Sequence, residues 1–599
     1  MKKMSKLLSI LLISTLMGAC TPKGNDSKPA ETTGTTTATS TDTSSPSSGG
    51  TGLKDGKFVA EAQGHNAPLT LEVTIADKQI TAIDITDHKE TEEISDPASD
   101  RIPKGIIEAQ SLAVDTVSGA TYTSNAILTA VENALIEAGG DIAAFKENKG
   151  EEKEGTAVSY EADVIVVGAG IAGVSAALEA TNQGAKVILL EKMASIGGST
   201  IRSGGKIQAA GTSIQKAAGI EDTPEQFVDY LMEVGENQVD RSFIELIANN
   251  SADNVEWLIS NGVELSDEIE LVHSSITPAR GHFPVNGSGS GIVLPLYEKL
   301  KEKNVQVLLE TPALSLISEE GRVIGVKATN LAKDDITITA KAVILATGGF
   351  SRNPEYIAEY YPSSGNFTSN AGDGNTGDGI TMGLSVDADL VMPDGGINLA
   401  LNPYTYYGYG EEAKGLFVTP EGERFMDESV FHFKRTRIMM DEGIDNCWYI
   451  FDESVFNDRV AKSLEEKMTV EAGSIEELAE KMSADPTKLK ATIEKYNELA
   501  KKGEDTDFNK SKDFMEPIES GKYYAAHFVM SNSGTHGGLK IDIDSHVINK
   551  SGDIIPGLYA AGEVASGQIL HKEYPGSGTA LIAFLTFGRQ AGAAAANEK

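Results

Sequence analysis

Cysteine is nearly missing from this 599-residue sequence, which has only Cys20 and Cys447. No Cys-x-x-Cys-His stretch occurs, so covalent attachment of a c-type haem is excluded. Positive charge is scarce too, with 51 Lys and Arg against 88 Asp and Glu and a formal net charge of −37. That balance disfavours nucleic acid and anionic lipid surfaces as partners, and otherwise reads as surface solubility. Long apolar runs are lacking. The one from Leu7 to Met17 is far shorter than the roughly 20 residues that span a bilayer. Between residues 21 and 53 apolar side chains almost vanish, leaving Thr, Ser, Gly, Pro and Lys, the composition of a solvated tether.

What is present begins with an export signal: lysines at 2, 3 and 6, the short apolar run, then small residues. Leu16-Met-Gly-Ala-Cys20 resembles a bacterial lipoprotein cleavage site, with ordinary cleavage near Ala19 as the alternative. The resemblance makes Cys20 the lipid-bearing first residue and places the protein on the extracytoplasmic face of a membrane. Acylated Cys20 could not pair with Cys447, although the compartment would permit a disulfide.

The chain is organised around Asp163-Val-Ile-Val-Val-Gly168-Ala-Gly170-Ile-Ala172-Gly173. Its apolar run predicts a strand buried on both faces, and Val174 to Gln183 predicts the helix that follows the glycine turn. Gly168 suits the turn, Gly170 lets the backbone approach a pyrophosphate, and Gly173 permits close helix–strand packing. Glu191 closes the next strand, placed to accept from an adenosine ribose. Lys192 and the run Gly198-Ser199-Thr200, with Gly204 and Gly205, present further groups to the same ligand.

Two later stretches decide which dinucleotide this is. Lys341-Ala-Val-Ile-Leu-Ala346 runs into Thr347-Gly348-Gly349, and Pro556 to Ala561 runs into Gly562-Glu563. A Pro-Gly turn then leads into a closing helix that includes Ser577, Thr579, Ala580 and Leu581. An NAD domain needs only the first motif, so the set favours non-covalent FAD. Glu563 is expected at the ribityl hydroxyls, with the helix dipole at the pyrimidine edge of the flavin. Helices expected over 223–261 are assigned to core packing.

Upstream, Leu69 to Ile75 and Ile80 to Thr86 alternate with period two and predict a hairpin. An amphipathic helix is expected at about 124–138, just after Asp115-Thr-Val-Ser118-Gly-Ala-Thr121. Residues 54–138 resemble the small FMN-binding domain of sodium-pumping and electron-transport complexes. The resemblance implies FMN joined to Thr121 by a phosphodiester, with Ser118 beside it and a flavin transferase as partner.

The fold expected is α/β: a Rossmann-like FAD-binding domain with an inserted α+β cap, preceded by a small α+β FMN-binding domain. The boundaries read as signal 1–19, tether 20–53, FMN-binding domain 54–140, linker 141–159, FAD-binding domain 160–393 and 523–599, and cap 394–522. Positions 160–599 resemble the flavocytochrome c type fumarate reductases and the urocanate reductases, which implies reduction of a C=C bond. Gly422-Glu-Arg-Phe-Met-Asp-Glu428 carries one family landmark. The family's substrate residues do not carry over. The proton-donor arginine falls on His432, the substrate histidine on Gly534, and an Asn-Arg turn is replaced by Glu573-Tyr574-Pro575-Gly576-Ser577-Gly578. Tyr-Pro-Gly-x-Gly resembles instead the 3-ketosteroid dehydrogenases, which implies that the Tyr574 hydroxyl and the Gly578 amide hold a ketone oxygen.

The expectation is therefore an exported reductase of a small, neutral enone such as a 3-ketosteroid, fed from a membrane or extracellular donor. His432 or one of Tyr404, Tyr406, Tyr407 and Tyr409 would supply the proton. The alternatives are an unsaturated carboxylate bound through Arg435 or Arg437, and a non-catalytic flavin electron carrier.

Overall fold

In the computed structural model, which describes residues 52–91, 94–147, 155–271, 278–365, 367–402, 414–519 and 521–599, the chain divides between Glu152 and Lys153. Cys20 and the tyrosines at 404–409 lie outside the described residues.

The first unit is a three-stranded antiparallel sheet of Gly56–Gln63, Pro68–Ala76 and Gln79–Asp87, with helices Asp96–Ala109, Thr121–Glu137 and Ile142–Glu147. Leu69, Leu71, Val73 and Ile75 alternate inward and are fully buried or nearly so. The expected hairpin is there, turning on Asp77 and Lys78, both with positive φ, as a two-residue loop between twisted strands requires. Ala126, Ile127, Ala130, Val131, Ala134 and Leu135 form the buried stripe of the second helix. Helix Ile142–Glu147 and strand Ala157–Glu161 occupy parts of the stretch read as linker.

The second unit is built on a six-stranded sheet. Its order is His546–Ile548, Ile554–Ala560, Ala342–Leu345, Val164–Val167, Val187–Leu190 and Gln306–Leu308. All neighbours are parallel except His546–Ile548, which caps one edge antiparallel. Three of the predicted cofactor stretches follow the carboxyl ends of Val164–Val167, Ala342–Leu345 and Ile554–Ala560. These strands are neighbours, so residues almost four hundred positions apart meet at one crevice. A four-stranded sheet (Ala313–Glu319, Arg322–Ala328, Asp335–Thr339, Ala157–Glu161) lies alongside in the chain.

The cap is anchored by two long antiparallel strands, Leu390–Leu401 and Tyr523–Leu539. The second also pairs with Asn446–Asp452 and Thr469–Ala472 at the heart of the cap sheet, whereas its far end carries Thr535 to the flavin side. Arg424 holds Glu428 and Asp505 through paired bonds of 2.8–3.0 Å, and Lys510 reaches Glu428 at 3.2 Å. That buried cluster fastens the 422–428 landmark to the segment after helix Pro486–Lys502.

The closing helix Thr579–Ala596 packs backbone to backbone on Ile171–Asn182. A Cβ on Gly588 would lie 2.3 Å from the Ser175 hydroxyl and 2.5 Å from the Ala172 carbonyl; one on Gly592 would lie 2.3 Å from the Ala176 carbonyl. Gly588→Val is therefore expected to destabilise the second unit by about 1–3 kcal/mol and to lower its FAD content. Thermal unfolding and flavin absorbance of the purified variant check both; full FAD occupancy at an unchanged melting temperature would contradict this packing.

Candidate active site

The turn after Val167 is shaped for close approach. Gly168 has φ of +103°, and a Cβ there would lie 2.4 Å from the Ala346 carbonyl. Gly173 is pressed against the Gly168 carbonyl, which a Cβ would meet at 1.8 Å. Gly170 faces the other way: a Cβ on it would find its nearest neighbour, the Thr200 hydroxyl, only at 3.8 Å. Gly198 and Gly204 have no heavy atom within 4 Å of that position. The start of helix Ile171–Asn182 thus opens on a cradle free of side chains, which fits the pyrophosphate of a dinucleotide.

Glu191 accepts the Ala169 and Met193 N–H groups, each at 2.8 Å. Burial raises its pKa, and those two bonds work against the rise. It fixes the glycine turn and keeps lone pairs for a ribose. Thr200 accepts the Ile171 N–H at 3.1 Å, Ser199 accepts the Gly372 N–H at 3.0 Å, and Lys192 pairs with Asp378 at 2.6 Å. Gly205, with φ of +67°, lies against the Ser288 carbonyl, and buried Ala172 meets Gly562.

Glu563 is a hub. One oxygen accepts the Thr535 N–H at 2.7 Å and its hydroxyl at 3.1 Å, and the other accepts the Asn375 amide at 2.9 Å. Gly349 must be glycine here, since a Cβ would lie 2.2 Å from both the Glu563 carboxylate and the Thr535 hydroxyl. Gly348 has φ of +75° and meets Asn375. Burial raises the Glu563 pKa, opposed first by the Thr535 N–H. Any bond to a ribityl hydroxyl adds to this set. Thr535 and Asn375 were missed in the sequence, though each sits in a short glycine-rich run that could have drawn attention.

At the other end of the crevice the Tyr574 hydroxyl oxygen accepts the Ala580 N–H at 3.0 Å. Burial pushes its pKa up to about 12, and the amides of Ala580, Gly578 and Thr579 oppose the shift. With its oxygen facing the helix N-terminus, its own O–H is left to donate elsewhere. Thr579 accepts the Gln208 amide at 2.8 Å and donates to Gly576 at 3.0 Å. Ser577 and Leu581 are half-buried and Ala580 is buried at this helix start. Gly578 has φ of +100°, packs on Lys206 and Gln208, and brings its amide beside the same phenol oxygen.

Tyr574 lines a cleft with Lys572 and Glu573, with Gly396 and Asn398 of Leu390–Leu401, and with Phe433, Thr436, Arg437 and Met440 of cap helix His432–Asp441. Those four cap positions follow helical spacing and make one face. His432 lies off that face, its ring 4.1 Å from that of Phe431 and 4.3 Å from that of Phe433, and does not line the cleft. Arg435 is buried on another face with its guanidinium 4.3 Å above the Phe417 ring. Arg437 donates to both Asp441 oxygens at 2.9 Å, and Lys434 reaches Glu573 at 3.1 Å. Phe433 packs edge-on against Tyr574, 4.8 Å between ring centres. Tyr407 lies outside the described residues.

In the first unit Thr121 opens helix Thr121–Glu137 and is exposed, as is Ser118. Ser124 accepts the Val117 N–H at 3.0 Å and donates to the Ala120 carbonyl at 2.9 Å, tying the turn from behind. No side chain caps this helix, so its first N–H groups remain for an anion beside the Thr121 hydroxyl.

A glycine cradle, two buried glutamates at strand ends of one sheet, a closing helix and a capped cleft define an FAD-dependent flavoprotein. Residues 163–581 match the model of the FAD binding domain family, and residues 64–136 that of the FMN-binding domain. The chain is 32% identical to the urocanate reductase of Eggerthella lenta across 97% of this chain and 96% of that protein. An open flavocytochrome c3 fumarate reductase superposes with a TM-score of 0.62 at 30% identity, covering 74% of this chain and 79% of that one. A Rhodococcus jostii 3-ketosteroid-Δ4-(5α)-dehydrogenase gives 0.65 at 27%, covering 74% and 100%. The chain spans 61% and 59% of the length of two further relatives, an NADH:acrylate oxidoreductase from Vibrio harveyi and an NADH:fumarate oxidoreductase from Klebsiella pneumoniae. It belongs to the flavoprotein family of the flavocytochrome c fumarate reductases and urocanate reductases.

One buried group near the cleft gives a pH test. His536 donates from Nδ1 to the His571 carbonyl, its ring centre 6.0 Å from that of Tyr574. Burial holds its pKa down to about 4, against an ordinary 6.5. Between those values the unfolded chain binds more protons, so stability falls as the pH drops from 6.5 towards 4. The loss amounts to roughly 3 kcal/mol. His536→Asn is expected to flatten that part of the stability–pH curve in urea denaturation; an unchanged slope would show that the charge on His536 is not what the fold opposes.

Proposed function

We propose that this protein is an exported, lipid-anchored reductase of a C=C bond conjugated to a carbonyl, supplied with electrons through FMN held covalently on Thr121. The observation that carries the reading is Tyr574, whose oxygen is backed by helix N-terminal amides while its hydroxyl stands at a cleft covered by the cap helix. A carbonyl oxygen placed there accepts from Tyr574. As charge moves onto that oxygen, the hydrogen bond from Tyr574 strengthens, and the amides behind the phenol favour the negative charge that Tyr574 shares. When bound, FAD supplies the hydride and FMN the electrons that renew it. The cradle at Gly170, with Glu191 and the Glu563 hub, holds the dinucleotide; Phe433 and Met440 keep water from the reacting carbons.

The neutral enone is favoured because Arg437, the one arginine on the cleft face among the described residues, is already bound by Asp441. A second reading, an unsaturated carboxylate like those in the names of several relatives, is supported by Arg437 and Lys572 lining the cleft. Arg435 is removed from that reading by its place over Phe417. A carrier of electrons alone has no use for a capped cleft. The export signal and Cys20 support anchoring outside the cytoplasm, with a membrane or extracellular donor and a flavin transferase as partners.

Two experiments test this reading. Thr121→Ala is expected to abolish peptide-bound flavin while FAD remains, and to lose activity with the physiological donor but not with a small donor that reduces FAD directly. Wild-type protein co-expressed with a flavin transferase and carrying no flavin on the Thr121 peptide would end that part of the proposal. Tyr574→Phe is expected to lower turnover by about 10²–10³, with a smaller effect on KM and none on flavin content. Reoxidation of the reduced enzyme by a panel of enones, unsaturated acids and fumarate supplies the assay; efficient reduction of fumarate, indifferent to Tyr574→Phe, would overturn the carbonyl assignment.

A further inference from the structure

Glu573 immediately precedes Tyr574, is only 8% exposed, and is the only carboxylate among the described residues that line the cleft. The groups facing it come from three elements. From the cap helix come Lys434, whose ammonium is 3.1 Å away, and Arg437. From helix Pro224–Val234 and the turn after it come Tyr230, which donates to the Pro575 carbonyl, and Glu236. From its own turn come His571, Lys572 and Tyr574.

The charges divide evenly. Arg437 is held by Asp441 and lies 3.9 Å from Glu236, and Lys434 is held by Glu573. His571 is 3.8 Å from Glu236, and burial lowers its pKa, so it stays uncharged near neutrality. Lys434, Arg437 and Lys572 are thus balanced by Glu573, Glu236 and Asp441. Replacing the carboxylate of Glu573 with a neutral group would leave the cleft one positive charge in excess and Lys434 without its anion.

We propose that Glu573 determines the charge of the substrate: by neutralising the cations around the cleft it admits a neutral carbonyl compound and disfavours a carboxylate. This rests on the reading of the cleft as the substrate site. An anionic ligand in the cleft gains most from a cation that is not already paired. A carboxylate substrate would also stand close to the buried Glu573 carboxylate, and like charges repel more strongly where the local dielectric is low.

Cinnamate and cinnamamide share a skeleton and differ in charge, and their binding to the FAD-loaded enzyme is read from perturbation of the oxidised flavin spectrum. Wild type is expected to bind the amide more tightly. Glu573→Gln should strengthen cinnamate by about tenfold and move cinnamamide by less than about threefold. Lys434→Gln, which leaves Glu573 uncompensated, should shift cinnamate the opposite way by about threefold. Burial raises the Glu573 pKa, with Lys434 the leading opposing charge. The advantage of Glu573→Gln for cinnamate should therefore shrink as the pH is lowered. Equal shifts of both ligands, or cinnamate binding unmoved in both variants, would overturn the assignment. Failure of the underlying reading would look different: neither ligand would perturb the flavin in any variant, and both ideas would fall together.

Discussion

The substrate end of the molecule depends on how closely two helices approach. Gly588 and Gly592 let Thr579–Ala596 press against Ala172, Ser175 and Ala176 with no side chain between. The same contact sets where the first turn of the closing helix stops, and so where the amides of Thr579 and Ala580 stand. Tyr574 is placed by those amides, and the cap helix meets the flavin unit through Phe433 on Tyr574. One backbone approach therefore positions the dinucleotide turn on one side and the Tyr574 hydroxyl on the other.

Three buried glutamates show how differently one side chain can be used. Glu191 and Glu563 are satisfied by neutral donors, mostly backbone N–H groups, so each acts as a fixed tie between segments. Burial works against their ionisation, and the donors restore it. Glu573 has a cation for a partner instead. Its charge is spent on cancelling another charge, which makes it a regulator of potential more than a tie.

What the sequence disclosed was local. The apolar run before Gly168, the glycine spacing, Glu191, and the alternation from Leu69 to Ile75 each lie within about two dozen residues, and strand and helix periods read them directly. The second and third flavin stretches were legible because each repeats the pattern of strand into glycine. The Glu563 hub was not, because Asn375 and Thr535 reach it from loops and strands set by tertiary pairing. His432 was favoured by position along the chain, yet the cleft face of its helix runs through Phe433, Thr436, Arg437 and Met440. Rotation of a helix by one residue is about 100°, and nothing in so short and mixed a segment fixes that phase.

The strand Tyr523–Leu539 belongs at once to the cap sheet and to the flavin side, where Thr535 meets Glu563. The cap is consequently not a detachable module. Excision of residues 394–522 would strip this strand of its partners Asn446–Asp452 and Thr469–Ala472 and of most of Leu390–Leu401. A strand whose first half, Tyr523–Met530, is mostly apolar and left with bare edges is a template for self-association. A trimmed, cap-less version of this enzyme would therefore be expected to aggregate before it could serve as a minimal flavin carrier, and exchange of caps between relatives has to preserve this shared strand.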